Sequence, residues 1–385
     1  HSKKIDDTLH DFINEQKGAI DELKKKKQTV VAKPPLRHSS HIKSYIIQES
    51  SEPVFYLIAQ YFNLSLNNYT ILSTTTRFNV MKLPENCLCC IANLKRINDI
   101  RFINKFFEAI NAKIYKEGIF IGCVETKNMR KKRIFNKYPP ILNFIYYTLD
   151  FLLKRVAPKF NITKRLYFFL TRGNNRVISK AETLGRLYSC GFAVEEIQTI
   201  DNLMYFVARK VGKSYKDPNP TYGPLVKLKR IGKGGREFYV FKLRTMHPFS
   251  EYLQPYIYKH YQLKEGGKFK NDFRITTLGK IMRKFWIDEL PMLINLLKGE
   301  MKLVGVRPLS KHYYNLYDED VKAKRIEVKP GLIPPYYADL PKNLEEIQQS
   351  EIKYIEAYLK NPVLTDWRYF WMAFINIVFK RARSA

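Results

Sequence analysis

Apolar residues recur at near-helical spacing among polar residues over positions 5–28, and two prolines, Pro34 and Pro35, follow. This pattern predicts an amphipathic helix and then a linker, because proline cannot continue a helix. We therefore assign residues 1–44 to a polar helical N-terminal segment and linker.

Short apolar runs alternate with helical stretches over residues 45–213, which predicts an α/β domain. The helical stretches are 98–112 and 178–190. Folds of this kind hold a cofactor with a glycine-rich turn after the first strand, but only Gly18 precedes Gly118 here. We therefore expect a degenerate, Rossmann-like domain without a cofactor. The predicted strands are Thr70–Thr74, Cys87–Ile91, Ile119–Val124 and Met204–Ala208.

The pattern changes at a proline-containing linker, 214–221, and residues 214–385 form the predicted second domain. Two alternating runs, 225–230 and 238–243, flank a glycine-rich turn and predict a β-hairpin. A helical stretch follows at 344–359. We expect a mixed α+β domain.

Charge adds the requirement for an anionic partner. The 67 Lys and Arg against 36 Asp and Glu give a net charge of +31. Nucleic acid, an anionic membrane surface and phosphate-rich substrates all satisfy it. The apolar stretches 141–153 and 369–379 are shorter than the roughly 20 residues that span a bilayer. Residues 367–381 have the aromatic and basic composition of an interfacial helix, and 141–153 could enter one leaflet.

An adjacent carboxylate pair, Asp288 and Glu289, precedes Pro291. Proline favours the first turn of a helix, so we place Asp288 at or beside the N-cap of a helix that runs to about Lys298 and ends at Gly299. One carboxylate there could attack phosphorus while the other holds a divalent cation such as Mg²⁺. The simpler alternative is that the pair only caps the helix and interacts with its dipole.

Basic residues near the pair favour phosphate chemistry. Lys242 and Arg244 lie at the end of a predicted strand, and Asp272 and Arg274 open the next element. Arg307 lies beyond the predicted helix. Arginine side chains bind phosphate oxygens in a bidentate manner. Each cation alone is more often solvated, but together with the carboxylates they predict a diphosphate pocket.

Several motifs occur in a fixed order across residues 222–310. They are Tyr222-Gly-Pro, Phe241-Lys-Leu-Arg-Thr-Met246, Asp272-Phe-Arg-Ile-Thr, Ile287-Asp-Glu-Leu-Pro-Met-Leu-Ile-Asn295, Leu297-Lys-Gly-Glu-Met-Lys-Leu-Val-Gly305 and Arg307-Pro-Leu. This series resembles the bacterial sugar transferases, the monotopic phosphoglycosyl transferases that start glycan assembly on polyprenyl phosphate. The resemblance implies a membrane-associated enzyme on the cytoplasmic face of the bacterial inner membrane, monotopic or peripheral.

The resemblance also implies a mechanism. Asp288 would attack the β-phosphate of a UDP-sugar, release UMP and carry a covalent sugar-phosphate to polyprenyl (undecaprenyl) phosphate. Glu289 would contact Mg²⁺, and Arg307 would contact the phosphates of the nucleotide. The implied catalytic residues are Asp288 and Glu289, and the expected substrate-binding residues are Lys242, Arg244, Asp272, Arg274 and Arg307.

Two features depart from that family. Val306 replaces the first proline of its Pro-Arg-Pro motif, and a predicted strand at 204–210 occupies the place of its re-entrant helix. The segments 191–194 and 205–208 instead resemble the last strands of class I methyltransferases. Two alternatives therefore stay open: a basic nucleic-acid-binding protein, and a methyltransferase that acts through the first domain. The dispersed basic residues argue against nucleic acid as a partner, and the missing glycine loop argues against methyl transfer.

Overall fold

The computed structural model describes residues 40–66, 68–215, 222–254, 256–257 and 272–379. The helix predicted over 5–28 lies outside these residues. The described chain forms two compact units. The first extends to Tyr222 and includes the segment that starts at His247, whereas the second runs from Gly223 to Met246 and continues from residue 272.

A five-stranded sheet forms the centre of the first unit. Its strands are β1 Tyr69–Leu72, β2 Leu88–Arg96, β3 Ile114–Val124, β4 Phe192–Ile200 and β5 Leu203–Lys210. The strand order is β1-β2-β3-β5-β4; the first three are parallel, and β5 runs antiparallel to both of its neighbours. Each predicted strand overlaps an observed one, and the predicted α/β character of this part is confirmed.

Helices cover both faces of this sheet. On one face Phe107, Phe120 and Phe206 pack edge to face, with ring centroids 5.4–6.2 Å apart. On the other face Ile121 packs with Phe55 of the second helix. The helices are α1 Ser40–Glu49, α2 Glu52–Tyr61, α3 Arg77–Met81, α4 Ile103–Lys113, α5 Lys127–Lys137, α6 Leu142–Phe151, α7 Asn161–Thr171 and α8 Lys180–Ser189, with a π turn at Leu152–Val156 and 3₁₀ turns at Ile97–Asp99, Ala157–Lys159 and Ser250–Leu253.

The segment that starts at His247 packs with the first unit, although it lies within the predicted second domain 214–385. A Cβ atom on Gly185 of α8 would lie 2.2 Å from the carbonyl oxygen of Phe249, so only glycine permits this close approach. The guanidinium of Arg186 stacks 4.3 Å from the Phe249 ring centroid. These contacts between distant parts of the chain explain why composition alone did not place the segment.

The second unit has the mixed α+β character expected of it. The predicted hairpin is confirmed as β6 Leu225–Ile231 paired with β7 Glu237–Leu243, and the predicted helix 344–359 is confirmed as α14, Leu344–Lys360. Two short parallel strands, β8 Lys302–Val304 and β9 Gly331–Ile333, form a second pair. The helices are α9 Thr277–Lys284, α10 Leu293–Leu297, α11 Lys311–Tyr314, α12 Glu319–Arg325, α13 Tyr336–Asp339, α14 Leu344–Lys360 and α15 Pro362–Val378, with 3₁₀ turns at Lys233–Gly235 and Ile287–Met292.

A polar cluster joins β8 to the last two helices. Lys302 forms an ion pair of 3.0 Å with Asp366 of α15, and its Nζ lies 3.1 Å from the ring centroid of Tyr358. The buried Tyr354 hydroxyl donates to Asp366 Oδ1 at 2.6 Å. These contacts fix the C-terminal helices against the strand pair. Within the part of the chain that the structure describes, no helix combines the length and the apolar content that a bilayer crossing requires.

Candidate functional site

The carboxylate pair lies in a 3₁₀ turn rather than at the cap of an α-helix. Trp286 precedes the turn in the left-handed conformation, with φ at 55°, and the turn Ile287–Met292 contains both Asp288 and Glu289. The predicted N-cap position of Asp288 is therefore wrong. Pro291 has no amide hydrogen to extend a regular ladder, and the Glu289 amide donates to the Trp286 carbonyl at 3.0 Å. The predicted end at Gly299 is confirmed, with φ at +68°.

Glu289 forms an ion pair with Lys242 of β7. The Lys242 Nζ lies 2.6 Å from Glu289 Oε1, and both side chains are largely shielded from solvent. The sequence placed both residues in the site, and the structure brings them into contact. Glu289 Oε2 is the oxygen left for a further cationic ligand.

A buried asparagine fixes the register between β7 and the turn. Asn295 Oδ1 accepts from the Phe241 amide at 3.2 Å, and its Nδ2 donates to the Tyr239 carbonyl at 2.7 Å. The same Nδ2 donates to Glu300 Oε2 at 2.7 Å. Lys242 follows Phe241, so this amide holds Lys242 opposite Glu289. Asn295 is a functional residue that was not predicted, although a lone polar residue within an apolar helix is a signal for one.

Asp288 is half-buried and has an unfavourable neighbour. Partial burial raises the pKa of its carboxyl group above the usual aspartate value, and the negative charge of Glu289 raises it further. Lys242 and Arg283 act in the opposite direction. The balance leaves a carboxylate that is less stabilised than a fully paired one, and such a group retains more of its nucleophilic character.

Arg283 is a cation of this site that the sequence analysis did not assign. It occupies the last turn of α9, its Nε donates to Thr245 Oγ1 at 3.0 Å, and it interacts electrostatically with Asp288 and Asp272. Its position depends on Gly279, because a Cβ there would lie 2.1 Å from the Thr245 carbonyl oxygen. The glycine in the Ile-Thr-Thr-Leu-Gly segment was the only sequence signal of this close approach.

Asp272 and Arg274 bind each other. Arg274 Nη2 lies 2.6 Å from Asp272 Oδ2, and Nε donates to the same carboxylate at 2.9 and 3.0 Å. Burial raises the pKa of Asp272, but these hydrogen bonds and the Arg274 amide outweigh burial and hold that pKa below its usual value. Much of the Arg274 fork is thus taken by a protein carboxylate. A role for either residue in substrate binding stays a prediction.

The other two predicted arginines have different neighbours. Arg244 Nε donates to the Gly223 carbonyl at 2.9 Å and so braces the Gly-Pro segment that opens the hairpin. Arg307 is exposed, and its carbonyl accepts from Arg325 Nη2 at 2.5 Å. Their contribution to phosphate binding also stays a prediction, whereas Lys242 and Arg283 adjoin the carboxylate pair.

Two carboxylates of this site, those of Asp288 and Glu289, are the residues that could hold a magnesium ion. Among the described residues no group of three or more His, Cys, Asp and Glu side chains gathers as a metal site. Mg²⁺ commonly takes one or two protein carboxylates and completes its shell with phosphate oxygens and water. Asp288 and the second oxygen of Glu289 meet that requirement, whereas both oxygens of Asp272 are bonded to Arg274.

Comparison with known proteins identifies the region that carries this site. Residues 204–380 match the family model described as bacterial sugar transferase. This region holds the hairpin, the carboxylate pair and helices α9–α15. The match supports the resemblance to the bacterial sugar transferases drawn from the ordered motifs.

Three curated relatives illustrate the match. The galactosyl transferase CpsE of Streptococcus agalactiae is 37% identical over 134 residues, 34% of this chain and 29% of its own length. A UDP-N-acetylgalactosamine-undecaprenyl-phosphate N-acetylgalactosaminephosphotransferase of Aeromonas hydrophila is 32% identical over 42% of this chain and 35% of its own. The UDP-glucose:undecaprenyl-phosphate glucose-1-phosphate transferase of Xanthomonas campestris is 32% identical over 42% and 30%. The chain spans less than half the length of these relatives.

Several solved structures match part of the chain, and two of these matches are weak. An S-adenosylmethionine-dependent methyltransferase from Mesorhizobium loti matches 34% of this chain and 66% of its own, with 11% identity and a TM-score of 0.21. A TM-score this low establishes no shared fold. The likeness of the first unit to methyltransferases therefore stays a prediction.

Proposed function

We propose that the chain transfers a sugar-1-phosphate from a UDP-sugar to polyprenyl phosphate, in the first step of surface glycan assembly. The observation that carries the proposal is the half-buried Asp288, which lies next to the Glu289–Lys242 ion pair and interacts electrostatically with Lys242 and Arg283, within the region that matches the bacterial sugar transferase model. Relatives named as undecaprenyl-phosphate transferases of sugar phosphates support the choice of substrates.

The chemistry proceeds in two displacements. An Asp288 oxygen attacks the β-phosphorus of the UDP-sugar, and the bond from that phosphorus to the bridging oxygen breaks, so that UMP leaves with the bridging oxygen. An aspartyl phosphosugar remains on the protein. A phosphate oxygen of the polyprenyl phosphate then attacks the same phosphorus, which restores the Asp288 carboxylate and forms a polyprenyl diphosphate sugar.

The surrounding cations lower the barrier that charge repulsion imposes. A carboxylate that approaches a diphosphate brings negative charges together, and Lys242 and Arg283 offset them. Mg²⁺, held by Glu289 and the substrate phosphates, would supply further positive charge and act as a Lewis acid. Arg307 is the proposed contact to the nucleotide phosphates.

The last helix supports a peripheral location on the cytoplasmic face of the bacterial inner membrane. One face of α15 is buried through Thr365, Tyr369 and Asn376, whereas Trp367 and Trp371 are exposed. The Asn376 side chain donates to the carbonyls of Tyr337 and Ala338 at 3.0 and 2.8 Å, and these bonds hold the polar side of α15 against the protein. The apolar side chains Phe374, Ile375 and Val378 are exposed together with the two tryptophans. An aromatic face turned outward is typical of an interfacial helix.

We assign the first unit a structural role, as a methyltransferase-like domain without a cofactor. The turn after β1 is occupied by protein groups: Asn93 accepts from the Thr74 amide at 3.0 Å and donates to the Thr74 carbonyl at 3.1 Å. These bonds take the place at which a glycine-rich turn would hold a nucleotide.

A substrate panel tests the proposal. The full chain in bacterial membranes is incubated with polyprenyl phosphate, Mg²⁺ and each of several UDP-sugars, and UMP and the lipid product are measured. We expect one or a few sugars to give UMP and a polyprenyl diphosphate sugar in equal amounts. If a correctly folded protein releases no UMP with any sugar, the proposal fails.

A further inference from the structure

Two helices of the first unit, α6 and α7, carry exposed apolar side chains that the proposed transfer chemistry does not use. Both helices lie outside the family-matched region 204–380. Soluble domains rarely leave large apolar side chains exposed side by side, and such surfaces mark a site of interaction.

Helix α6 turns its apolar side outward. Leu142, Phe144, Ile145 and Leu149 are all exposed, while the acidic Asp150 is buried. The spacing of Leu142, Ile145 and Leu149 gives one continuous stripe on the helix.

The buried acid fixes this orientation. Asp150 accepts from Arg130 Nε at 2.6 Å and from Arg130 Nη2 at 2.8 Å, and it pairs with Lys154 at 2.8 Å. Rotation of α6 to bury its apolar stripe would expose or unpair this carboxylate and leave Arg130 buried without its partner, which is strongly unfavourable. The outward stripe is therefore a built feature of the fold.

Helix α7 repeats the arrangement. Ile162 is 91% exposed and Phe169 81% exposed, and Leu166 and Leu170 are exposed on the same face. Their spacing of four, three and one residues places them along one side of the helix. Tyr167, on the other side, is buried.

The stretch that contains both helices is rich in cations, and none of its acids is exposed. Residues 127–172 contain 12 Lys and Arg and a single acid, the buried Asp150, so their net charge is 12 − 1 = +11. The exposed cations among these described residues are Lys131, Lys132, Arg133, Lys137, Lys164, Arg165 and Arg172. An apolar face with a basic border matches a bilayer surface that contains anionic lipid, at which each basic side chain adds to the attraction.

We propose that helices α6 and α7 dock on the surface of an anionic lipid bilayer, with their apolar side chains among the lipid headgroups. The first unit then binds the membrane through its own helices and not only through the transferase region. Docking needs neither Asp288 nor a UDP-sugar.

Vesicle flotation of the full chain tests this docking without any substrate. The triple variant Phe144→Asp/Ile162→Asp/Phe169→Asp is compared with wild type on vesicles of phosphatidylcholine with and without phosphatidylglycerol. We expect wild type to bind the anionic vesicles more tightly, and we expect the variant to bind them at least about tenfold more weakly, because three apolar groups are replaced and the local charge falls.

A matched control carries the same three charges elsewhere on the first unit. Tyr56→Asp/Phe78→Asp/Met81→Asp alters exposed apolar side chains on α2 and α3. It is expected to float almost like wild type. If the aspartate variant of α6 and α7 does not fold, as judged by its melting curve, Ile162→Ser/Phe169→Ser provides a milder version with a smaller loss.

Three results would overturn the proposal. One is equal flotation of wild type and the α6–α7 variant, and another is an equal loss in the control. The third is a wild-type dimer that ignores vesicles and becomes a monomer in the α6–α7 variant, since a second copy of the chain would then cover this surface. Loss of UMP release with flotation intact would count against the transferase function alone.

Discussion

Acidic residues among arginines and lysines occur in both units, but their environments are opposite. In the first unit Glu182 is buried, and its Oε1 accepts from Arg186 at 2.8 Å while its Oε2 accepts from Arg155. Burial raises the pKa of Glu182, but the two arginines outweigh burial and hold that pKa far below its usual value. In the second unit the pKa of Asp288 is raised by burial and by Glu289.

The difference separates a carboxylate that stabilises a fold from one that is available for chemistry. A fully bonded acid such as Glu182 has its lone pairs and its charge committed to the protein. Asp288 has neighbouring cations, but its ionised form is less favourable in the folded protein than in the unfolded chain. Contacts elsewhere in the fold offset this cost. Substitutions at the two positions should therefore act on different properties of the protein.

The largest expected effect is the loss of transfer in Asp288→Asn. The amide cannot form the aspartyl phosphosugar, so we expect UMP release to fall at least about 1000-fold. The adduct should also disappear from the intact-protein mass spectrum after incubation with the UDP-sugar. The melting temperature should not fall, because the raised pKa means that the charge of Asp288 opposes folding at neutral pH.

Asp320→Asn on α12 is the control, since Asp320 is exposed and takes the same chemical change. It should keep full activity. Substantial turnover by Asp288→Asn would exclude Asp288 as the nucleophile.

The second effect is on stability and belongs to the first unit. Glu182→Gln leaves Arg155 and Arg186 buried without a counter-charge, and we expect a loss of about 3–5 kcal/mol. Hydrogen exchange of the β3 and β5 amides at neutral pH reports the loss for this unit alone.

The stability of the first unit should also depend on pH in a direction that the pKa of Glu182 determines. A carboxyl group whose pKa is depressed in the folded state stabilises the fold above its unfolded pKa, and that contribution is lost as the pH falls through the folded value. Wild type should therefore lose stability below about pH 4, and Glu182→Gln should show a flatter acid dependence. Glu52→Gln, which alters an exposed ion pair, should behave like wild type. Similar acid profiles for wild type and Glu182→Gln would show that this carboxylate is not held as described.

Local pattern was enough to predict several of the regular elements. The hairpin β6–β7, helix α14 and the end of a helix at Gly299 all follow from alternation, periodicity and a left-handed glycine. The sequence placed Lys242 near the carboxylate pair, but it did not predict the part that Arg283 plays there. Arg283 reaches Asp288 only because α9 packs on the Thr245 backbone, and the sequence of α9 alone resembles any basic helix.

The orientation of the apolar helix faces was not predicted either. Composition predicted membrane-associated segments at 141–153 and 367–381, but it does not say which side of a helix faces solvent. The orientation of each helix is set by one buried polar side chain: Asp150 of α6 bonds to Arg130, and Asn376 of α15 bonds to the Tyr337 carbonyl. Composition alone therefore suggested membrane helices without giving their orientation.

A smaller effect is expected from Asn295→Ala, which loosens the link between β7 and the carboxylate turn. The Phe241 amide and Tyr239 carbonyl lose a buried partner, and we expect about 1–3 kcal/mol of destabilisation of the second unit. The turnover number should fall more than the folded fraction does, because Lys242 is no longer held opposite Glu289. Leu297→Ala on the same helix, at an exposed position, should change neither quantity. A fall in activity that only matches unfolding would leave Asn295 a purely structural residue.

The smallest effect is a displacement of the acid limb of the pH–rate profile, and its direction distinguishes two neighbours of Asp288. Lys242 lowers the pKa of Asp288 and Glu289 raises it. Lys242→Met should therefore move the acid limb of single-turnover UMP release to higher pH, and Glu289→Gln should move it to lower pH, whatever each does to the maximal rate. Lys229→Met, which removes a β6 lysine paired with Glu237, is the control and should leave the limb in place. Shifts in the same direction for both variants would mean that the limb reports a group other than Asp288.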